Sequence, residues 1–248
     1  MTHLAATLAR FNRKERYWLL SAALGEKSRV LDDGFRQQLD QATGLTIPAT
    51  AWWAMDYHLD WLVGALHLLG QATPVAAIGP PICNDEQLIR GTHEDIDLIV
   101  AFENTVLLIE AKGDTAWSNE QIGRKLQRLS AIIEKFKPSD DYPAIVFKLV
   151  LMSPSKPQKL KMEKETQSPL PEWMLGKDGT ICHVPMWVGD SKPSHTKDSL
   201  IPEQGMLVVT RCNEKSTPNA DGKHWISLPA RDRSEKGHAD RLAKRKQP

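Results

Sequence analysis

HEDIDLIVAFENTVLLIEAK, residues 93–112, holds two runs rich in Ile, Leu and Val on either side of a short polar break. Ile96–Ala101 and Val106–Ala111 have the composition of strands, and Phe102-Glu103-Asn104-Thr105 is the length of a tight turn. The stretch therefore predicts a β-hairpin. If it turns symmetrically about Glu103-Asn104, opposed residues have numbers summing to 207, which sets Asp97 across from Glu110 and Asp95 across from Lys112. Opposed residues of an antiparallel pair share a face, with Cβ atoms about 4.5–5.5 Å apart. Residues two apart along a strand share a face as well. Asp95, Asp97, Glu110 and Lys112 are thus expected on one side, with Ile96, Leu98, Ile109 and Ala111 on the other. A slip of one residue would undo the arrangement.

Two carboxylates facing each other in an apolar sheet are costly unless something neutralises them. A divalent cation does so, and carboxylate oxygens completed by water and a phosphate suit Mg²⁺. Such an ion polarises a phosphodiester and lowers the pKa of a bound water. A lysine beside it offsets charge in the transition state. Asp97, Glu110 and Lys112 therefore match the chemistry of phosphodiester hydrolysis. A plainer account is an Asp95–Lys112 cross-strand ion pair, with Asp97 serving only the start of its strand.

Outward from the hairpin, helical spacing of apolar residues predicts a helix from about Leu4 to Leu24, stopped by Gly25, and a second from Asp32 to Ala42 ahead of Gly44. A longer helix is expected from Thr50 to Leu69, with Met55, Leu59, Leu62, Leu66 and Leu69 on its apolar face and Gly70 closing it. Val75–Ile78 reads as a short strand. After the hairpin, Ser118–Lys137 reads as a helix with Ile122, Leu126, Leu129, Ile133 and Phe136 buried, halted by Pro138. Ala144–Met152 reads as a fully buried strand. Further strands are expected at Ile181–Val188 and Gly205–Thr210, and residues 231–248 form a highly charged tail. One α/β domain over residues 1–248, with a helical N-terminal extension over 1–48 and C-terminal strands and basic tail over 153–248, accounts for this pattern.

Composition narrows the classes little. The chain has 248 residues, 41% hydrophobic and 25% charged, with a formal net charge of +1 that averages over uneven segments. No leader-like N-terminus and no membrane-length apolar run are visible. Cys83, Cys182 and Cys212 have neither disulfide-framework nor zinc spacing, and His58, His67 and His93 join no metal-ligand cluster. A cytoplasmic location is expected.

Asp97 on one strand, Glu110-Ala111-Lys112 at the end of the next, and a helix after them resemble the PD-(D/E)XK nuclease superfamily, the restriction endonuclease-like proteins. Residues 93–112 look like the family's second and third core strands. The predicted 50–69 helix would be its first core helix, Ser118–Lys137 its second, and Ala144–Met152 the strand that follows, so the resemblance covers about residues 50–152. The proline of the signature is absent, since Ile96 precedes Asp97. The resemblance implies a mixed β-sheet flanked by helices and a Mg²⁺-dependent nuclease, with Mn²⁺ able to substitute. It implies Asp97, Glu110 and the Ala111 main-chain carbonyl as metal ligands and Lys112 as the catalytic lysine. It also implies an acid on the first core helix, for which Asp56 and Asp60 compete at i and i+4 with Asp60 preferred. Gln121 on the second helix, with Lys125 one turn on, would complete the site, although Ser118 and Gln121 also have the spacing of a capping box. Trp117 would line the cleft.

The implied partner is nucleic acid, DNA first, with no membrane role. Lys156, Lys159, Lys161 and Lys164 and the basic tail are candidate backbone contacts. A homodimer or a partner subunit is compatible with this reading. Two other classes compete: a non-catalytic nucleic-acid-binding or assembly module keeping the fold, and a structural protein whose Trp18, Trp52, Trp53 and Trp61 form a partner interface.

Overall fold

The structure is a computed structural model, and it describes residues 2–25, 29–70, 83–84, 87–89, 94–113, 117, 119–157, 160, 170–186 and 207–229, with the side chains of 119–121 and 229 outside the description. Expectations that fall on Val75–Ile78, His93, Ser118, Lys159, Lys161, Lys164 and the 231–248 tail lie outside these residues. The chain divides into two compact units, Met1–Lys112 with Ala116–Pro185, and Gly113–Thr115 with Met186–Pro248.

The first unit is α/β. In chain order it runs α1 (His3–Phe11), α2 (Glu15–Leu24), α3 (Asp33–Thr43), β1 (Trp52–His58), α4 (Leu59–Leu69), β2 (Asp95–Phe102), β3 (Thr105–Ala111), α5 (Asn119–Lys135), β4 (Val146–Ser153), a short 3₁₀ turn (Glu172–Met174) and β5 (His183–Pro185). The five strands form one mixed sheet in the order β1-β2-β3-β4-β5. β1, β2 and β3 are antiparallel neighbours, and β4 and β5 add on parallel to β3. In the second unit, β6 (Leu207–Cys212) and β7 (His224–Pro229) pair as an antiparallel ribbon.

The hairpin has the predicted register from Leu98 to the turn, while the expected Asp97–Glu110 and Asp95–Lys112 pairs lie beyond the ladder. Leu98 faces Ile109, Val100 faces Leu107 and Phe102 faces Thr105, so opposed numbers sum to 207. Glu103 closes the two-residue turn in left-handed backbone at φ 46°. Both faces of this part of the sheet are covered: Ile96, Ile99, Val100, Leu107, Leu108 and Ile109 are all buried. The Asp32–Ala42 expectation is met by α3, where the Asp32 side chain caps Phe35 N–H and Gly44 ends the helix at φ 75°.

Two expectations are corrected. The N-terminal helix is two helices. Buried Asn12 ends α1, its side-chain oxygen accepts from Lys14 N–H at 3.4 Å, and its carbonyl accepts from the Trp18 indole at 3.1 Å. The apolar period misleads past the break: α2 buries Tyr17 and Ser21, and Trp18 and Leu19 are exposed. The Thr50–Leu69 helix is a strand followed by a helix. Trp52–His58 lies along β2 with Trp53 opposite Val100 and Tyr57 opposite Ile96, which supplies hydrogen-bonding partners to β2 and buries Trp52, Trp53 and Tyr57. Aromatic residues favour such a pleated, covered surface, and the helical stripe belongs only to α4.

Tyr57 also ties α1 to the sheet: it is fully buried and its hydroxyl donates to the Leu8 carbonyl at 2.9 Å. α1 crosses α4 closely at Gly64, where a Cβ would stand 2.8 Å from the Phe11 ring. Toward the C-terminus, the Ile181–Val188 expectation reduces to His183–Pro185, with Ile181 in an isolated bridge to Leu175; β6 overlaps the expected 205–210 strand, and β7 was not anticipated. Among the described residues no helix is long and apolar enough to cross a membrane.

Removing only the Tyr57 hydroxyl leaves a buried carbonyl without its donor, which costs about 1–2 kcal/mol. Tyr57→Phe is therefore expected to lower the unfolding free energy by that amount, seen by circular dichroism as a lower urea midpoint at unchanged m-value.

Candidate active site

The β2–β3 ladder ends at Leu98 and Ile109, and from there the two strands part company. β3 continues with β4 instead: Glu110 faces Leu151, Ala111 faces Met152, and Lys112 N–H donates to the Met152 carbonyl at 2.7 Å. The next hydrogen bond toward β2 is made by a side chain. Asp97 Oδ2 accepts from Ala111 N–H at 2.7 Å. The splay thus brings an exposed aspartate to the shoulder of Glu110.

Glu110 is 6% exposed, on the sheet face that carries Ile99 and Leu108. The first turns of α5 cross this face, and Lys125 Nζ stands 2.6 Å from Glu110 Oε1 and 2.6 Å from the Asp95 carbonyl. Burial dominates the electrostatics and pushes the Glu110 carboxyl up to about 7. Lys125 pulls the other way through its charge and hydrogen bond, and the Asp97 carboxylate adds to the upward push. A buried acid so placed lacks enough positive charge for its ionised form.

Lys112 follows the end of β3, and among the described residues Trp117 rather than Glu110 is the group its ammonium meets. Its ammonium lies 5.3 Å from the centre of the Trp117 ring, within cation–π range, and partial burial lowers its pKa. The Trp117 indole donates to Ser153 Oγ at 3.0 Å. Fully buried Ser153 in turn lies 3.1 Å from His183 Nε2. A row Lys112–Trp117–Ser153–His183 therefore runs across the ends of β3, β4 and β5.

The other expected residues are placed differently. Asp95 does not reach Lys112 as an ion pair: its carboxylate meets Lys14 Nζ at 3.0 Å and His58 Nδ1 at 3.1 Å. Asp56 and Asp60 do not share a helix face. Asp56 lies within β1 at φ 48° and pairs with Arg16 at 3.0 Å, while Asp60 opens α4 and accepts from Trp61 N–H at 3.0 Å. Among the described residues no group of three or more His, Cys, Asp or Glu side chains comes together, so Asp60 does not join Asp97 and Glu110. Gln121 is in α5 one turn before Lys125, and its side chain lies outside the described residues, as does Ser118 of the alternative capping box. Ser153 and His183 were missed by the sequence reading, since only the parallel β4–β5 pairing brings them to Trp117.

As a cation site, the donors that the structure brings together are the carboxylates of Asp97 and Glu110, next to the main chain of Ala111. All are hard oxygen donors. Mg²⁺ commonly uses one or two carboxylates and keeps several waters, so this set fits it without a third acidic side chain. Comparison with known proteins finds no matching family model, no matching curated protein and no matching solved structure.

Because burial raises Glu110 from its ordinary 4.5 to about 7, the folded protein holds this proton over a pH range where the unfolded chain has lost it. Its stabilising effect is complete below about 4.5 and is lost as pH rises through about 7. Without divalent cations, the wild type is expected to lose about 2–3 kcal/mol more than Glu110→Gln across that window. Urea unfolding at a series of pH values measures this, and parallel curves for the two proteins would refute the assignment.

Proposed function

We propose that this chain is a metal-dependent nuclease of the PD-(D/E)XK type that hydrolyses phosphodiester bonds, DNA first. The splay of β2 from β3 carries the reading. It sets Asp97 beside buried Glu110, and Lys112 follows two residues on with its ammonium against the Trp117 ring. The arrangement of elements supports it further. The hairpin strands are second and third in a mixed sheet, and α5 and the parallel strand β4 follow them. The expected first core helix is the exception, since its N-terminal half is β1.

In this reading Asp97 and Glu110 would hold Mg²⁺ with the Ala111 carbonyl, and Mn²⁺ could replace it. The cation supplies charge to polarise the phosphate and acidify a water. Lys112 holds the attacking water and offsets charge as the new P–O bond forms and the old one breaks. Trp117 fixes the lysine's direction from one side. Lys125 compensates Glu110 in part when no cation is bound, and the exposed Asp97 carboxylate would give the cation its way in.

One observation favours a second reading. Lys125 partly compensates Glu110 at 2.6 Å with no cation present, so the pair can also serve a non-catalytic nucleic-acid-binding or assembly module that keeps the fold. The two readings separate in one assay. Supercoiled, linear and single-stranded DNA, and RNA, are incubated with Mg²⁺, Mn²⁺ or EDTA. The nuclease reading expects metal-dependent cutting that falls by at least about 10³-fold in Glu110→Ala and in Lys112→Ala. Tight, metal-independent binding without cutting of any substrate would establish the binding module.

A further inference from the structure

One wall of the first unit holds a cleft that the proposed chemistry does not use. It has a volume of about 540 Å³ and opens between α3 and the turn that follows the 3₁₀ segment. Gln38 and Gln41, exposed and three apart on α3, form one side; Lys177 and Thr180 form the other, and Lys156 and His183 the floor. The turn is held firmly. Asp178 Oδ1 accepts from Thr180 N–H at 3.0 Å and from the Thr180 hydroxyl at 2.6 Å. Lys156 Nζ donates to Thr180 Oγ1 at 2.5 Å and lies 4.0 Å from Asp178 Oδ2.

The cleft is joined to the candidate active site. His183 is a floor residue, and it is also the last member of the row that starts at Lys112 and passes through Trp117 and Ser153. The lining chemistry suits one kind of ligand. Lys156 is engaged by Asp178 and Thr180, and Lys177 on the exposed turn adds the second cation to a lining with one carboxylate, so the cleft carries a surplus positive charge that favours anions. Burial lowers the His183 pKa, which disfavours a charge on the ring. The two glutamine amides offer donors and acceptors together, as the edge of an unpaired base does. A volume of about 540 Å³ has room for one or two nucleotide units and none for a turn of duplex.

We propose that this cleft binds a single-stranded stretch of nucleic acid flanking the scissile phosphate, with Lys156 and Lys177 on the phosphates and Gln38 and Gln41 on the bases. It rests on the nuclease reading for its place in the reaction. Its occupancy is testable without cleavage.

The test uses the full chain in EDTA and short fluorescein-labelled strands, read by anisotropy over a range of salt. Single-stranded DNA is expected to bind more tightly than the duplex of the same sequence. Lys156→Ala/Lys177→Ala is expected to weaken that binding roughly tenfold and to flatten the plot of log K against log salt by about 1.4, or about 0.7 per lysine. Gln38→Ala/Gln41→Ala weakens binding at unchanged slope. Melting curves check that both variants fold. If the lysine pair does not, Lys177→Glu at the exposed turn carries the same test, again with weaker binding. An RNA strand of the same sequence is run alongside, and binding of either strand that depends on the lysines supports the cleft and names its sugar. Wild-type affinity and slope in the variants, or no single-strand binding by the wild type, overturns the proposal. Parallel assays with Mg²⁺ keep the two readings apart. A wild type that binds through the cleft and never cuts refutes the nuclease and leaves the cleft standing. A wild type that cuts, with cleft variants that bind and cut like it, refutes the cleft alone.

Discussion

Glu110 is a carboxyl group placed where the sheet is otherwise aliphatic, with Leu108 and Ile109 before it and Leu151 beside it. An ionised group there must find opposite charge or give up its own. The surroundings are arranged about that requirement. α5 brings Lys125 to it, and the same ammonium is anchored on the Asp95 carbonyl of β2. β2 swings away so that Asp97 meets Ala111 N–H in place of a ladder bond. The outcome is a half-compensated acid, still pushed up to about 7, with a second acid at its side. A site of that kind gains from a divalent cation, which explains why the geometry reads as chemistry more readily than as packing.

The N-terminal helices reach the same region. The break at Asn12 turns the chain so that Lys14 meets Asp95, and Arg16 meets Asp56. His58, at the end of β1, lies on the other oxygen of Asp95. The extension therefore fixes the outer side of β2, the strand that carries Asp97. These exposed and half-exposed pairs add little to stability singly; their contribution is direction.

Local symmetry made the hairpin legible. A two-residue turn between equal runs leaves one sensible register, and Leu98 opposite Ile109 follows from counting. That register brings Asp97 toward Glu110, but how they meet depends on the splay beyond Leu98, where the Asp97 side chain replaces a ladder bond. β1 was illegible because Leu59, Leu62, Leu66 and Leu69 set a helical period that extends backward through Met55 by coincidence. What decides Trp52–His58 is the partner strand, and no local pattern contains it. Asp95 was misassigned for a related reason: the partner it takes, Lys14, is 81 residues away. Lys125 was placed near the site by its helix, yet its bond to Glu110 depends on how α5 lies across the sheet. The Trp117–Ser153–His183 row depends on β4 and β5 aligning in parallel.

The central claim is that Asp97 and Glu110 hold one divalent cation, and calorimetric titration with Mn²⁺ near pH 7.5 tests it most directly. The account predicts one site in the wild type, lost in Asp97→Ala and in Glu110→Ala and kept in Lys112→Ala. Equal Mn²⁺ binding in all four proteins, or none in the folded wild type, would contradict it.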